Sequence, residues 1–417
     1  MPTRNTDHAT RIEIIERHLA GETLANLAEE LQLNFYTVRK WWRIYHRQGW
    51  PGLIPKPAGP PGRGVLSKFE PLVKYVVLRL KRHHPAWGLD VLRLELKRRP
   101  SLRGKALPQR TAIWNYQRRF YPRLMEHRRL RTQRPHPKTS GIIAVHQRWQ
   151  MDFKGDVHIA GLGQVKPFIV CDEFTGAPLA GIIHWVKGPD HPSQLSFRDI
   201  QANLRLVFSQ WGLPDQLRMD RDPLWIGSSR LEWPGTLLLW LIGLGVTPVI
   251  NRPYCPTDNP HVERRNRIWN EHVCIGATCQ RLDQLQALTD QAWQDRRELL
   301  PSRNPNCAGQ PPLVAHPELI QPRRPYQLDQ EHNLFELQRV YTYLSQWQWQ
   351  RKVDCLGSIS IADFTRRVST DHLGQIIKVR FDLATHQFVA AAMDGTELRR
   401  FTLPIISCDY IMGVSNQ

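Results

Sequence analysis

The stretch Trp149-Gln150-Met151-Asp152-Phe153-Lys154-Gly155 decides how this chain is read. Apolar and polar residues alternate through it, the two-residue period of a strand with a buried face, and the strand carries an acid near its end. The run Gln216-Leu217-Arg218-Met219-Asp220 repeats that pattern and also ends on an acid. A third acid stands in Pro256-Thr257-Asp258-Asn259-Pro260-His261-Val262-Glu263-Arg264, which reads as the opening of a helix. Acids at strand ends and on a neighbouring helix can converge on one pocket. Such a pocket suits hard divalent cations, which take oxygen ligands. Two such ions can clamp the attacking and leaving oxygens of a phosphodiester.

These three frames, in this order, resemble the catalytic core of DDE transposases and retroviral-type integrases. The flanking sequence is similar to insertion-sequence transposases with an amino-terminal helix-turn-helix. The core likeness runs from about Val145 to Leu300. The resemblance implies an α/β ribonuclease H-like fold, with Asp152, Asp220 and Glu263 as catalytic residues and as ligands of two divalent ions, Mg²⁺ or Mn²⁺. It implies strand cleavage at the ends of a mobile element, followed by transfer of the 3′-hydroxyl into target DNA. The partners implied are double-stranded DNA, as terminal repeats and as target, and further copies of the chain in a homo-oligomeric synaptic complex. Two departures stand out. Relatives usually show Asp-x-Gly where this chain has Asp220-Arg221-Asp222. The 42 residues between Asp220 and Glu263 exceed the usual spacing. The surplus is expected in Ile226–Gly235, where a loop insertion leaves the fold intact.

The net charge of +19 is concentrated in one segment. Residues 51–142 hold 22 Lys and Arg against 4 Asp and Glu, while 143–417 hold 28 of each sign. A block of this kind is the electrostatic footprint of a polyanion-binding surface. The seven cysteines are odd in number and scattered, which argues against a disulfide framework. Cys274 and Cys279 lie near His261 and His272, but in no standard zinc spacing. The longest apolar candidate, Thr236 to Val246, is too short to span a bilayer, and Met1 to Ala20 opens too polar for a signal peptide. The expectation is a cytoplasmic, nucleoid-associated protein without membrane contact.

Residues 9–48 read as three short helices, with Phe35 to Tyr45 as the recognition helix and Asn34 as its N-cap. Short helix, tight turn, helix is a helix-turn-helix, whose second helix enters the major groove. The candidates for DNA contact are Tyr36, Thr37, Arg39, Lys40 and Arg43, with at least one of Trp41 and Trp42 in the core. Pro51 to Gly64 reads as a linker. A second helical unit follows in three pieces, Phe69–Arg82, Gly88–Arg98 and Gln109–Arg119. It reads as a second helix-turn-helix or winged helix spanning 65–122, with Gln109, Arg110, Asn115, Arg118 and Arg119 toward DNA. The basic strap 123–142, with Arg128, Arg129 and Arg131, is suited to tracking phosphates without reading sequence.

The division expected is therefore 1–50 helix-turn-helix, 65–122 second module, 123–142 basic linker, 143–300 catalytic domain, 301–350 connector and 351–410 small antiparallel β-barrel. The barrel reading rests on short alternating runs at Ser358–Ile361, Gln375–Phe381, Gln387–Ala391 and Glu397–Leu403. Beside the acids, Asn259, Arg264 and Arg267 are candidates for positioning DNA, with helix capping as the alternative for Asn259. Two other functions fit the same residues: a metal-dependent nuclease that cuts without joining, and a domesticated DNA-binding regulator with an inactive core.

Overall fold

The computed structural model describes residues 6–55, 65–120, 141–187, 195–226, 233–253, 258–275 and 277–413. Three helices open the chain: α1 (His8–Leu19), α2 (Leu24–Glu30) and α3 (Phe35–Gln48). Their starts are fixed by side-chain caps. The Asp7 carboxylate accepts from the Thr10 amide at 2.8 Å, and the Asn34 side chain accepts from that of Tyr36 at 2.8 Å. Ile14, Ile15, Leu27, Val38 and Leu53 form the core. Leu53 belongs to a short 3₁₀ turn, Trp50–Leu53, so this unit extends past the boundary expected at residue 50. The second unit is α4 (Pro71–His83), α5 (Leu89–Arg98) and α6 (Arg110–Phe120), closed over Val73, Val77, Leu80, Leu92, Leu96 and Ile113. Among the described residues of this unit there is no strand, and the end of the expected module, residues 121–122, lies outside them.

The middle of the chain is a mixed sheet with helices on both faces, which fits a ribonuclease H-like core. Its strands are β1 (Arg148–Phe153), β2 (Val157–Ile159), β3 (Gly163–Asp172), β4 (Pro178–Lys187), β5 (Gln216–Met219) and β6 (Thr247–Ile250). The order is β2-β3-β1-β5-β6, with β4 also on β3. β1 is antiparallel to β3 but parallel to β5, and β5 is parallel to β6. The two-residue period sorts the side chains. Trp149, Met151, Phe153, Phe168, Val170, Leu217 and Met219 face α7 (Phe197–Trp211) and α9 (Thr236–Gly243). Ile169, Cys171 and Ile183 face α10 (Pro260–Trp269) and α11 (Leu282–Glu298). A short helix, α8 (Pro223–Ile226), follows β5.

The segment expected as a plain connector is a structural part of this core. It contains α12 (Pro312–Ala315), α13 (Glu331–Leu334) and α14 (Leu337–Ser345). Leu319, Tyr326, Phe335, Val340 and Leu344 are buried in one cluster with Trp149, Phe208 and Trp240. Glu331, 2% exposed, is a buried charge with its partners supplied. Arg205 grips it through two bonds of 2.7 and 2.8 Å, Trp240 donates at 2.9 Å, and the Tyr326 hydroxyl donates as well. Paired in this way, a buried carboxylate is tolerated.

The carboxy-terminal strands do not close. β7 (Gln348–Lys352), β10 (Ile376–Asp382), β11 (Gln387–Ala391) and β12 (Glu397–Phe401) make an antiparallel sheet ordered β12-β11-β10-β7. Among the described residues β8 (Ser358–Ile361) and β9 (Phe364–Arg367) pair with each other alone. The expected barrel is thus corrected to an open sheet with a separate hairpin, since a barrel requires its edge strands to pair. Burial comes by another route. Tyr341 of α14 stacks on Phe381 at 5.3 Å, and Trp233 packs against Trp349 at 5.0 Å. These contacts cover the apolar face without curling the sheet. The last helix, α15 (Cys408–Met412), docks on α7, where Gln201 and Arg205 bond the Ile411 and Met412 carbonyls.

Candidate active site

The alternation that buries Trp149, Met151 and Phe153 turns Gln150 and Asp152 to the opposite face, toward α10. The parallel register pairs Gln150 with Arg218. Carried two residues further, it sets Asp220 beside Asp152 on the same face. Neighbouring strands lie about 4.8 Å apart, so these two carboxylates are close by construction. The third acid arrives on α10. Its anchor is Asn266, one turn after Glu263, whose side-chain amide donates to Asp152 Oδ2 at 2.8 Å. Glu263 itself is on the exposed part of that helix.

Gln150 decides where α10 begins. It is fully buried, and its carbonyl oxygen accepts from the His261 and Val262 amides at 3.0 and 3.2 Å. It thereby caps a helix whose N-cap residue, Asn259, supplies no side-chain cap bond. The Gln150 amide in turn donates to Glu173 at 3.0 Å, and Arg148 and Arg218 neutralise that carboxylate at 3.5 and 3.8 Å. Arg218 also donates to the Asp258 carbonyl at 2.7 Å, tying the residues before α10 to β5. Glu173 and Asp172 are thus structural, and Asp172 is spent on the amides of His146 and Thr175.

Asp220 is held from its own loop. Its Oδ1 accepts from the Asp222 amide at 3.2 Å and from Trp225 Nε1 at 2.5 Å. Trp225 in turn stacks on Phe153 at 5.4 Å and 8°. The position where relatives carry glycine is Asp222, whose amide gives that bond to Asp220, and between the two acids Arg221 donates to the Asn251 carbonyl at 3.0 Å, pinning the turn to the end of β6.

The acids feel each other. Burial pushes the Asp152 carboxyl up to about 7, and the charges of Asp220 and then Glu263 push the same way, against the stabilising bond from Asn266. Among the described residues, no group of three His, Cys, Asp or Glu side chains is gathered tightly enough to ligate an ion as it stands. That holds for Cys274, Cys279, His261 and His272 as well. Asp152 feels the charges of both Asp220 and Glu263. Their chemistry nonetheless fits a divalent cation: all donors are carboxylate oxygens, and one of them is strained by uncompensated negative charge.

The other expected site residues fall into three groups. Tyr36, Arg39, Lys40 and Arg43 on α3 are exposed, with Thr37 half-buried among them; on α6, Arg110, Asn115, Arg118 and Arg119 are exposed. Arg267 is exposed and Arg264 half-buried on α10. Arg128, Arg129 and Arg131 lie outside the described residues. Asn259 is the N-cap residue of α10 by position without a side-chain cap bond; it is 4% exposed and donates to the Met151 carbonyl at 3.2 Å, which ties α10 to β1. Sequence reasoning passed over Gln150, Asn266 and Trp225. Gln150 was detectable by its shared face with Asp152, and Asn266 by its spacing from Glu263. Nothing local marked Trp225.

Residues 10–61 match the family model described as a helix-turn-helix domain. Among solved structures, the chain is similar to the catalytic core of BIV integrase, at 15% identity and a TM-score of 0.29, covering 42% of this chain and 95% of that one. It is similar to the HTLV-2 integrase catalytic core in complex with magnesium, at 15% identity and a TM-score of 0.29, covering 41% and 96%. A third is a chain of the simian T-cell lymphotropic virus intasome in complex with PP2A regulatory subunit B56 gamma, at 13% identity and a TM-score of 0.33, covering 79% and 99%. Among the described residues no helix is long and apolar enough to cross a membrane.

Proposed function

We propose that this chain is a DNA transposase or integrase of the DDE type. It cleaves DNA at the ends of a mobile element and joins the resulting 3′-hydroxyl to target DNA. The observation that carries the reading is the bond from Asn266 of the Glu263 helix to Asp152, beside a parallel register that pairs Gln150 with Arg218, two residues before Asp152 and Asp220. The helix-turn-helix domain and the exposed cations of α3 and α6 supply the DNA-holding half.

Asp152, Asp220 and Glu263 would hold the divalent ions, Mg²⁺ or Mn²⁺. Bound there, the ions supply positive charge at phosphorus and lower the barrier to in-line attack. The chain's own part is positioning. Asn266 fixes one oxygen of Asp152, while Trp225 and the Asp222 amide fix one oxygen of Asp220. Gln150 sets the start of the helix that brings in Glu263. In the first step water attacks the phosphodiester at the element end, leaving a 3′-hydroxyl and a 5′-phosphate. In the second, that 3′-hydroxyl attacks a target phosphodiester and expels the target's 3′-hydroxyl, so bonds made equal bonds broken and no covalent enzyme intermediate is needed. Arg264 and Arg267, on the same helix as Glu263, would hold the strand beside the acids. Work on two ends and a target implies more than one copy of the chain.

The test is a cleavage-and-joining assay on the flanking DNA ends with Mg²⁺ or Mn²⁺, run beside Asp152→Ala and Glu263→Ala. Joined products that vanish in both variants while DNA binding persists support the reading. Cleavage without joining gives the nuclease, and binding without cleavage under either metal gives the regulator.

A further inference from the structure

Between the second helical module and the acid-bearing core lies a cleft of 460 Å³ walled by six arginines: Arg110, Arg264, Arg265, Arg267, Arg296 and Arg303. Two acids, Asp90 and Glu271, share the wall, and Asp90 is committed to Arg110 at 3.1 Å. Positive charge therefore exceeds negative charge in a confined space. Arg265 is only 7% exposed, and its Nε has no hydrogen-bond partner. Arg296 Nε is likewise buried without one, and the contact made by its terminal nitrogen is to the His272 ring at 3.0 Å, which is no counter-ion. Buried guanidinium groups are costly unless an anion pairs with them. An arginine's fork of donors matches the oxygens of a phosphate.

We propose that this cleft is a binding site for a backbone phosphate of DNA, seated between the helical module and the helix that bears Glu263. The proposal rests on the reading of the chain as a DNA-processing enzyme, and DNA is favoured by where the walls come from. Arg110 opens α6, whose exposed face carries Asn115, Arg118 and Arg119, while Arg264 and Arg267 flank Glu263 on α10. A strand passing from α6 to the acids crosses this cleft. The two walls are already joined at its margin. Arg98 of α5 grips Asp295 of α11 with both terminal nitrogens, one at 2.5 Å, and the His84 ring meets the Ile275 carbonyl at 3.3 Å. A phosphate in the cleft would complete that junction, linking DNA seated on the module to the placement of α10.

The test uses the full chain and needs no catalysis. Melting is followed in sodium phosphate against sodium chloride at matched ionic strength. Binding to a short duplex of arbitrary sequence is followed by fluorescence anisotropy across a salt series. Phosphate is expected to raise the melting temperature of the parent protein above its value in chloride. Arg296→Gln should abolish that rise. Arg303→Ala, a change at an exposed residue that leaves folding intact, should diminish it. Arg303→Ala should also flatten the dependence of log affinity on log salt by about 0.9 for each DNA phosphate it no longer neutralises. Asp152→Ala should show the parent's phosphate-induced rise and the parent's salt slope whatever its own melting temperature, so failure of the cleavage chemistry and failure of this site are separate results. Equal melting in phosphate and chloride overturns the site. A phosphate effect that the variants lose while the salt slope stays unchanged overturns DNA as the ligand and assigns the cleft to a free phosphate compound.

Discussion

Replacing Gln150 with leucine tests whether one buried amide positions the third acid. The side chain is fully buried and makes three bonds, two of them to the first turn of α10. Leucine is close to glutamine in volume, so no large cavity opens and the cost is polar. The amides of His261 and Val262 lose their acceptor, whereas Glu173 still has Arg148 and Arg218. At about 1–3 kcal/mol for each buried group left unsatisfied, the loss for two amides comes to roughly 2–6 kcal/mol. A larger effect on chemistry should accompany it. Once α10 is free to settle elsewhere, a displacement of about 1 Å at Glu263 can cost on the order of a hundredfold in rate. Urea denaturation of the parent and Gln150→Leu measures the first quantity, and strand cleavage under single-turnover conditions measures the second. Gln150→Glu is no rescue, because it keeps an acceptor for the helix amides but turns a carboxylate against Glu173 in place of the donor. The reasoning fails if Gln150→Leu unfolds at the parent's denaturant midpoint.

Three further predictions address the site and the fold. The raised Asp152 pKa means that the folded protein holds this proton more tightly than the unfolded chain. Its stabilising contribution is therefore complete below about pH 4 and is lost as pH rises through about 7. In EDTA, the midpoint of thermal unfolding should fall over that window in the parent but not in Asp152→Asn, and Mg²⁺ should restore the parent; a parallel fall in both proteins would remove Asp152 as the cause. Trp225→Phe retains a ring against Phe153 but loses the bond to Asp220, so cleavage should drop about tenfold or more while DNA affinity holds, and equal losses in both would point to general misfolding. Gly181→Ala would place a methyl 2.2 Å from Trp293 Nε1, forcing α11 off β4 at a cost of about 1–3 kcal/mol; an unchanged melting temperature would mean that this packing is looser than that distance implies.

The strands and acids were readable because alternation is a local signal with a physical cause. Trp149, Met151 and Phe153 had to share a face, so Asp152 had to take the other. The helix-turn-helix was legible for the same reason, with Asn34 announcing the start of α3. The readings that failed concern pairing partners distant in sequence. Nothing in the runs at 358–403 distinguishes strands that close from strands that stop, because closure depends on what covers the sheet, here Tyr341 and Trp233. Nor does the Pro-punctuated stretch after residue 300 announce that Leu319, Tyr326 and Phe335 belong to the core of strands far earlier in the chain. The tie made by Asn259 was not legible because its partner, the Met151 carbonyl, is a backbone atom that no side-chain pattern reveals.

The docking of α15 against α7 has a consequence for the order of events during synthesis. Both helical modules can close their cores once Phe120 has left the ribosome, since their apolar residues lie wholly within them. The unit bearing the acids cannot, because Ile411 and Met412 belong to the same buried cluster as Trp149. At about 5–20 residues per second, the interval between the two is roughly 15–60 s. A nascent chain thus passes through a stage in which its DNA-holding half is finished and its acid-bearing half is not. The length of that stage scales inversely with the rate of translation.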